Sequence, residues 1–214
     1  MSDSYSPLPQ ADWLAIQTFE PGDPGEDPWV NGPAPREAIE VSDYDPVWPQ
    51  RYQALRERIA QALGARALAV EHVGSTAVPQ LPAKPVIDID LIVADPEDEA
   101  AYVPALQAVG YELTIRERSW YGHRMLRLTT PRVNLHVFGP ACPEHARHCL
   151  FRDWLREHDE DRRRYAQAKF AARQNEDQIT AYNEKKQAVV REIYARLFAA
   201  GPPTQSSGRA PAGR

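Results

Sequence analysis

The sequence predicts an α+β fold, and three observations lead to this class. An apolar helical stripe lies near the start of the folded part, with Trp48, Tyr52, Leu55, Ile59 and Leu63 at spacings of three and four. Apolar, β-branched runs bounded by turn residues follow it and predict strands. From Glu144 to Ala200 there is neither proline nor glycine, which is typical of helices. The order helix, strands, helices indicates separate helical and sheet regions.

The elements follow in order along the 214 residues. A helix is expected over 46–63, then strands over 67–73 and 85–93, and a helix over 97–109. Three further strands are expected over 111–115, 123–130 and 132–138. The region 144–200 is predicted to form two or three helices, the last of them amphipathic.

The two ends of the chain differ in composition from its middle. Residues 1–35 are rich in proline, glycine and acidic residues, and we expect an irregular extension there. Trp13, Leu14, Ile16 and Phe19 are candidates for anchoring it to the domain. We expect one folded domain over 36–200, including the helical part 144–200, and a disordered tail over 201–214.

Composition limits the classes of function. The formal net charge of −5 does not favour a protein that coats nucleic acid. With only two cysteines, Cys142 and Cys149, a disulfide framework is not expected. No signal segment and no apolar run of about 18 residues is found, so we expect a cytoplasmic protein with no membrane partner. The oligomeric state is left open.

A Gly74-Ser75 turn follows the strand predicted over 67–73. Glycine lets a phosphate approach the backbone closely, and Ser75 and Thr76 add hydroxyl donors. The alternative is a plain turn that ends a strand. A P-loop is not favoured, because Lys84 lacks the glycine before it and the hydroxyl residue after it.

Asp88 and Asp90 lie two residues apart on the strand predicted over 85–93, so their side chains share one face. Two like charges on an apolar strand call for a neutralising partner. Mg²⁺ is the natural cation, since it takes a few carboxylates together with substrate phosphate oxygens. The alternative is an edge strand whose polar face is simply exposed to solvent.

His136 is a third candidate, provided that its strand lies beside 85–93. A neutral histidine can ligate a metal or accept a proton, but it can equally be a core residue satisfied by a neighbour. Lys84, Arg124 and Arg127 are cations near the same strands that could offset substrate phosphates, or they are surface charges.

These residues resemble a known family. The block EHVGSTAVPQLPAKPVIDIDLIV, the upstream YDPVWPQRY and the downstream LHVF, FRDWLR and AYNEKKQ are similar to the GrpB family, over residues 38–199. The family pattern has glycine where this chain has Gln80.

The resemblance implies a nucleotidyltransferase fold like that of DNA polymerase β, with a mixed sheet flanked by helices. It implies that Gly74 and Ser75 hold a triphosphate and that Asp88 and Asp90 hold Mg²⁺. The partners would be a nucleoside triphosphate and an unknown acceptor. Related active enzymes carry a third carboxylate where this chain has His136. Arg152, Lys169 and Lys185 could line the cleft and contact phosphates, or form salt bridges along a helix, with Asp153 or Glu184 for example.

Three functions remain open from the sequence. The first is Mg²⁺-dependent transfer of a nucleotidyl group. The second is a non-catalytic module that binds a nucleotide or another ligand, because His136 replaces a carboxylate. The third is an accessory protein that needs neither aspartate.

Overall fold

The computed structural model describes residues 11–32, 41–173 and 179–203, and side chains outside 171–186. The remaining parts of the predicted extension and tail, and the start of the domain at 36–40, lie outside the described residues. The described elements, in chain order, are α1 Trp13–Gln17, α2 Val47–Leu63, β1 Ala69–Val73, β2 Ile87–Ile92, α3 Glu99–Ala108, β3 Glu112–Glu117, β4 His123–Leu128, β5 Val133–Phe138, α4 Pro143–Glu157, α5 Asp159–Arg173 and α6 Ile179–Ala199.

The five strands form one mixed sheet in the order β1-β2-β5-β4-β3. Strands β2 and β5 are parallel, and the other three pairs are antiparallel. The aspartate strand β2 therefore lies between β1, which leads into the Gly74 turn, and β5, which carries His136. This order brings three separate parts of the sequence to one place.

One face of the sheet is apolar and builds the main core. Alternate residues of β2 and β5 lie on this face, and helices α2 and α3 cover it. The members of this core include Trp48, Leu55, Ile59, Ile87, Ile89, Leu91, Tyr102, Leu106, Val133, Leu135 and Val137, all of them buried. Because side chains alternate along a strand, this apolar set forces Asp88 and Asp90 onto the other face.

The second face carries two polar rows that run across neighbouring strands. In the first, called here the Asp88 row, Asp88 pairs with Asn134, which pairs with Arg127. In the second, the Asp90 row, Asp90 pairs with Glu71 on one side and His136 on the other. Helix α4 packs against this face, and α5 and α6 pack around α4.

The predicted α+β class is confirmed, with a mixed sheet flanked by helices and three helices in the C-terminal region. The described part of the N-terminal extension, which was predicted to be irregular, contains a short helix, α1. The Arg147 guanidinium holds it through hydrogen bonds from Nη1 to the carbonyl oxygens of Ala15, Ile16 and Thr18. Ile16 is fully buried in the cluster that includes Tyr194 and Leu197.

In the described part of the chain, no helix combines the length and apolar character needed to cross a membrane. Cys142 and Cys149 are both buried and both free of disulfide bonds.

Candidate functional site

The Gly74 turn lies directly against Asp88. Gly74 has φ 68° and ψ −170°, a backbone conformation that side chains disfavour. A Cβ atom at this position would lie 2.5 Å from Asp88 Oδ2, so a larger residue cannot fit without movement. The turn and the first aspartate are therefore parts of one site.

Ser75 opens the short 3-10 helix Ser75–Ala77 and contacts α5. Lys169 of α5 donates from Nζ to Ser75 Oγ at 2.6 Å and to the Pro82 carbonyl oxygen at 3.0 Å. Its ammonium group also lies 4.2 Å from the centre of the Tyr165 ring. A buried cation therefore lies directly against the turn.

Asp88 is half-buried, and its Oδ1 accepts a hydrogen bond from Asn134 Nδ2 at 2.9 Å. Arg127 follows in the same row, one strand further along. The Nε of Arg127 is buried and has no hydrogen-bond partner in the described part of the chain. A guanidinium in this state is suited to receiving an anionic ligand.

Asp90 is fully buried and is engaged by two histidines of α4. His145 donates from Nδ1 to Asp90 Oδ2 at 2.8 Å, and His148 donates from Nδ1 to the same oxygen at 3.0 Å. Burial alone would raise the pKa of Asp90, but the attraction of His148 and the hydrogen bonds of both histidines hold it well below its usual range. Asp90 is therefore ionised.

His148 balances this charge. Burial lowers its pKa, but Asp90 and Glu144 outweigh that effect and raise the pKa of His148 to about 10. Its Nε2 lies 3.4 Å from Glu144 Oε1. The pair of Asp90 and His148 is consequently an internal ion pair at neutral pH.

His136 lies beside Asp90 in the sheet register, as the resemblance implied. Burial lowers its pKa to about 3, so the ring is neutral at neutral pH. Its Nδ1 lies 3.1 Å from His123 Nε2, and His123 Nδ1 lies 2.7 Å from Glu117 Oε2. These contacts connect β5, β4 and β3.

Comparison with known proteins assigns the chain to a family. The family model described as GrpB protein matches residues 38–196. The chain belongs to the GrpB family. A UPF0157 protein of Halalkalibacterium halodurans is 46% identical over 163 residues, which cover 76% of this chain and 84% of that protein. A UPF0157 protein of Streptomyces coelicolor is 41% identical over 174 residues, covering 80% and 90%.

A solved structure and a kinase extend the comparison. The crystal structure of the conserved protein GrpB from Enterococcus faecalis matches with a TM-score of 0.66 and 30% identity, covering 75% of this chain and 98% of that one. A dephospho-CoA kinase of Mycolicibacterium paratuberculosis is 30% identical over 190 residues, covering 76% of this chain but 47% of that protein.

Gln80 takes a backbone conformation consistent with the family pattern. Its φ is 64°, in the region that favours glycine, which is the residue that the resemblance implied at this position.

Two predicted phosphate-binding residues do not lie in the site. Arg124 has the same parity as the core residue Leu126, so it lies on the opposite face, where its Nε donates to Glu99 Oε1 at 2.7 Å. Arg127 has the opposite parity and is therefore the β4 arginine on the site face. The Thr76 side chain is buried beneath the turn, where Oγ1 donates to the Val86 carbonyl oxygen and pairs with His72 Nε2.

Arg152 forms structural contacts, including the salt bridge with Asp153 that was the alternative prediction. Its Nη1 donates to Glu71 Oε2 and to the His72 carbonyl oxygen, both at 2.9 Å, while its other nitrogens bind Asp153. It thereby joins α4 to β1. Lys84 is half-buried in the loop before β2. The side chain of Lys185 lies outside the described residues.

Four residues that sequence reasoning did not select belong to the site: Glu117, His123, His145 and His148. The two histidines of α4 had one available signal, their spacing of three within the helix, which places both on one face. Glu117 and His123 become visible only once β3 and β4 are paired.

Proposed function

We propose that this chain binds a nucleoside triphosphate in the cleft between the Gly74 turn and the Asp88 row and transfers its nucleotidyl group to an acceptor. The observation that carries this proposal is the direct packing of Gly74 on Asp88, so close that a Cβ atom added at Gly74 would lie 2.5 Å from Oδ2. In this contact, a turn of the kind that binds phosphate packs directly on a carboxylate of the kind that binds a metal, with no side chain between them.

The charges around the cleft support a phosphate ligand. Lys169 supplies a cation at Ser75, and Arg127 supplies a second one in the Asp88 row. Asn134 fixes the orientation of the Asp88 carboxylate through its hydrogen bond to Oδ1. Exposed N–H groups of the turn would add dipoles that favour negative charge.

Mg²⁺ is the cofactor that this proposal includes, and the donor set fits it. Mg²⁺ is commonly held by one or two carboxylates together with substrate phosphates, and Asp88 and Asp90 are of that type. Among the described residues, no group of three or more His, Cys, Asp or Glu is arranged to hold a metal ion. In this proposal the two aspartates and the phosphate oxygens would be the ligands, and the bound ion would neutralise phosphate charge.

His145 and His148 set a condition on metal binding. Both donate to Asp90 Oδ2, so they compete with a metal for that carboxylate. Asp88 accepts a hydrogen bond from Asn134 and is more accessible than Asp90. We expect Asp88 to be the carboxylate on which ligand binding depends most.

A non-catalytic module that binds a nucleotide is the second candidate function. It is favoured by the ion pair at Asp90, which leaves this carboxylate engaged, and by His136 in place of a third carboxylate. The similarity to part of a dephospho-CoA kinase supports a nucleotide-related ligand for either candidate.

Incubation with each α-labelled nucleoside triphosphate and cell extract, with and without Mg²⁺, tests the proposal. We expect a labelled product with the natural chain and none with Asp88→Asn. Asp43→Asn, an exposed position that is not among the named site residues, is the matched control and keeps the product. Binding without any product would reject transfer and favour the second candidate.

A further inference from the structure

Three side chains on adjacent strands form a hydrogen-bonded chain that ends at His136. Glu117 and His123 are cross-strand partners on β3 and β4, and their carboxylate and Nδ1 are 2.7 Å apart. His123 Nε2 then lies 3.1 Å from His136 Nδ1. His123 is 3% exposed, so water does not replace these contacts.

Hydrogen-bond chemistry gives this chain a direction. An ionised carboxylate only accepts, so the proton between Glu117 and His123 is on His123 Nδ1. In its neutral form His123 carries one N–H, at Nδ1, so its Nε2 would accept and the proton of the second bond would be on His136 Nδ1. His136 therefore has its lone pair on Nε2.

The remaining nitrogen of His136 is available for chemistry. Nε2 makes no hydrogen bond to any described residue, and His136 itself is half-buried beside Asp90. The same arrangement, in which a carboxylate fixes the tautomer of a histidine, orients histidine bases and histidine metal ligands in enzymes.

We propose that Glu117 and His123 are positioning residues that hold His136 in the Nδ1–H tautomer, so that its Nε2 accepts the proton of the nucleotidyl acceptor. The role of His136 Nε2 as proton acceptor rests on the proposed function. The role of Glu117 and His123 in fixing the tautomer of His136 does not depend on it.

His136 takes up the one proton that the transfer releases. The acceptor hydroxyl oxygen forms a bond to the α-phosphorus of the triphosphate, and the bond from that phosphorus to the α–β bridging oxygen breaks. Pyrophosphate leaves, and the hydroxyl proton passes to His136 Nε2. Such a base substitutes for the third carboxylate that the related enzymes carry.

Two-bond nitrogen-proton correlation spectra of the ¹⁵N-histidine-labelled full chain at neutral pH test the tautomer, with signals assigned by single His→Gln variants. We expect His136 to show a protonated Nδ1 and an unprotonated Nε2. A protonated Nε2 of His136 in the natural chain would overturn the inference, since it would mean that the second hydrogen bond runs the other way.

Two variants test the role of the chain. His123→Phe keeps a ring against Phe138, which lies 4.9 Å from the His123 centroid, but removes both hydrogen bonds. Glu117→Gln removes the obligate acceptor at a side chain that is one-third exposed, so the fold should tolerate it. In both, the Nε2 of His136 should become substantially protonated, whereas Glu112→Gln on the same strand should change nothing. An unchanged tautomer in both variants would reject the positioning role.

A transfer assay separates this inference from the proposed function. If product forms, His123→Phe should lower kcat about 10- to 100-fold with little change in KM. If no product forms with the natural chain, the proposed function fails while the tautomer result still stands. Product formation at an unchanged kcat in His123→Phe would count against His136 as the proton acceptor.

Discussion

Asp90 of β2 and His148 of α4 form a buried contact, with His148 Nδ1 donating to Asp90 Oδ2 at 3.0 Å. His145 donates to the same oxygen at 2.8 Å. The carboxylate that the family resemblance implies as a metal ligand is therefore already paired with an imidazolium. A metal ion at Asp90 would therefore have to compete with these histidines for the carboxylate.

Replacing His148 should therefore make the protein both less stable and more responsive to Mg²⁺. His148→Ala leaves a buried carboxylate with one partner fewer, which should cost about 3 kcal/mol of unfolding free energy. Mg²⁺ should restore part of this loss, because the ion takes the vacated place at Asp90. Urea denaturation with Mg²⁺ or with EDTA measures both effects.

The control for this prediction is His158→Ala. His158 terminates α4 and stacks on Trp154 without contacting Asp90, so its variant should respond to Mg²⁺ as the natural chain does. An equal Mg²⁺ response in all three proteins would show that His148 does not compete for the carboxylate.

Gly74 and Gly64 form a matched pair for testing the packing of the turn on Asp88. Both have positive φ, 68° and 58°, but a Cβ at Gly64 meets nothing within 4 Å. Gly64→Ala should cost about 1–3 kcal/mol of backbone strain. Gly74→Ala should cost more than this and should also abolish nucleotide binding, because its Cβ displaces Asp88. Equal losses of stability by denaturation, with binding kept, would contradict the contact.

Arg127 and Arg124 should respond in opposite ways to the same substitution. Arg127→Gln removes a cation from the Asp88 row and should weaken nucleotide binding about 10-fold or more at nearly unchanged stability. Arg124→Gln breaks the ion pair with Glu99 on the other face and should lower stability without a direct effect on the site. Calorimetric titration and thermal denaturation of the two variants distinguish these effects. A reversed pattern would place the ligand elsewhere.

His72 should make the fold sensitive to acid. Burial, followed by repulsion from Arg156 and Arg152, lowers its pKa to about 3 in the folded chain. Because a histidine of the unfolded chain takes up a proton near pH 6.5, the unfolded state binds more protons below that pH, and stability falls as the pH falls toward 3. The natural chain should lose about 1–2 kcal/mol more than His72→Gln between pH 7.5 and 5. Equal losses in urea denaturation would show that His72 is not held neutral.

The sequence predicted the sheet and the first half of the site because both depend on local patterns. Alternation along β2 places Asp88 and Asp90 together, and the glycine of the turn signals a special backbone. The contact from His145 to Asp90 spans 55 positions in the chain, and spacing within one segment cannot reveal such a contact.

The two arginines of β4 illustrate a second limit, because the sequence analysis named both Arg124 and Arg127 without saying which face each occupies. A strand prediction alone does not say which face of β4 carries the core, and a shift of one residue reverses the answer. The buried Leu126 and Leu128 were the available signal, since they share the parity of Arg124. The sheet face on which a charged side chain lies is predicted better by its parity with apolar residues of the same strand than by its nearness in sequence to a motif.

The Gly74 turn and Asp88 together form the proposed binding site for a nucleoside triphosphate. Calorimetric titration of the natural chain, Asp88→Asn and Asp43→Asn with each of the four triphosphates in the presence of Mg²⁺ tests this site most directly. We predict saturable binding of at least one triphosphate to the natural chain and to Asp43→Asn, and a large loss of affinity in Asp88→Asn. No binding of any triphosphate to the natural chain, or equal affinity in Asp88→Asn, would contradict it.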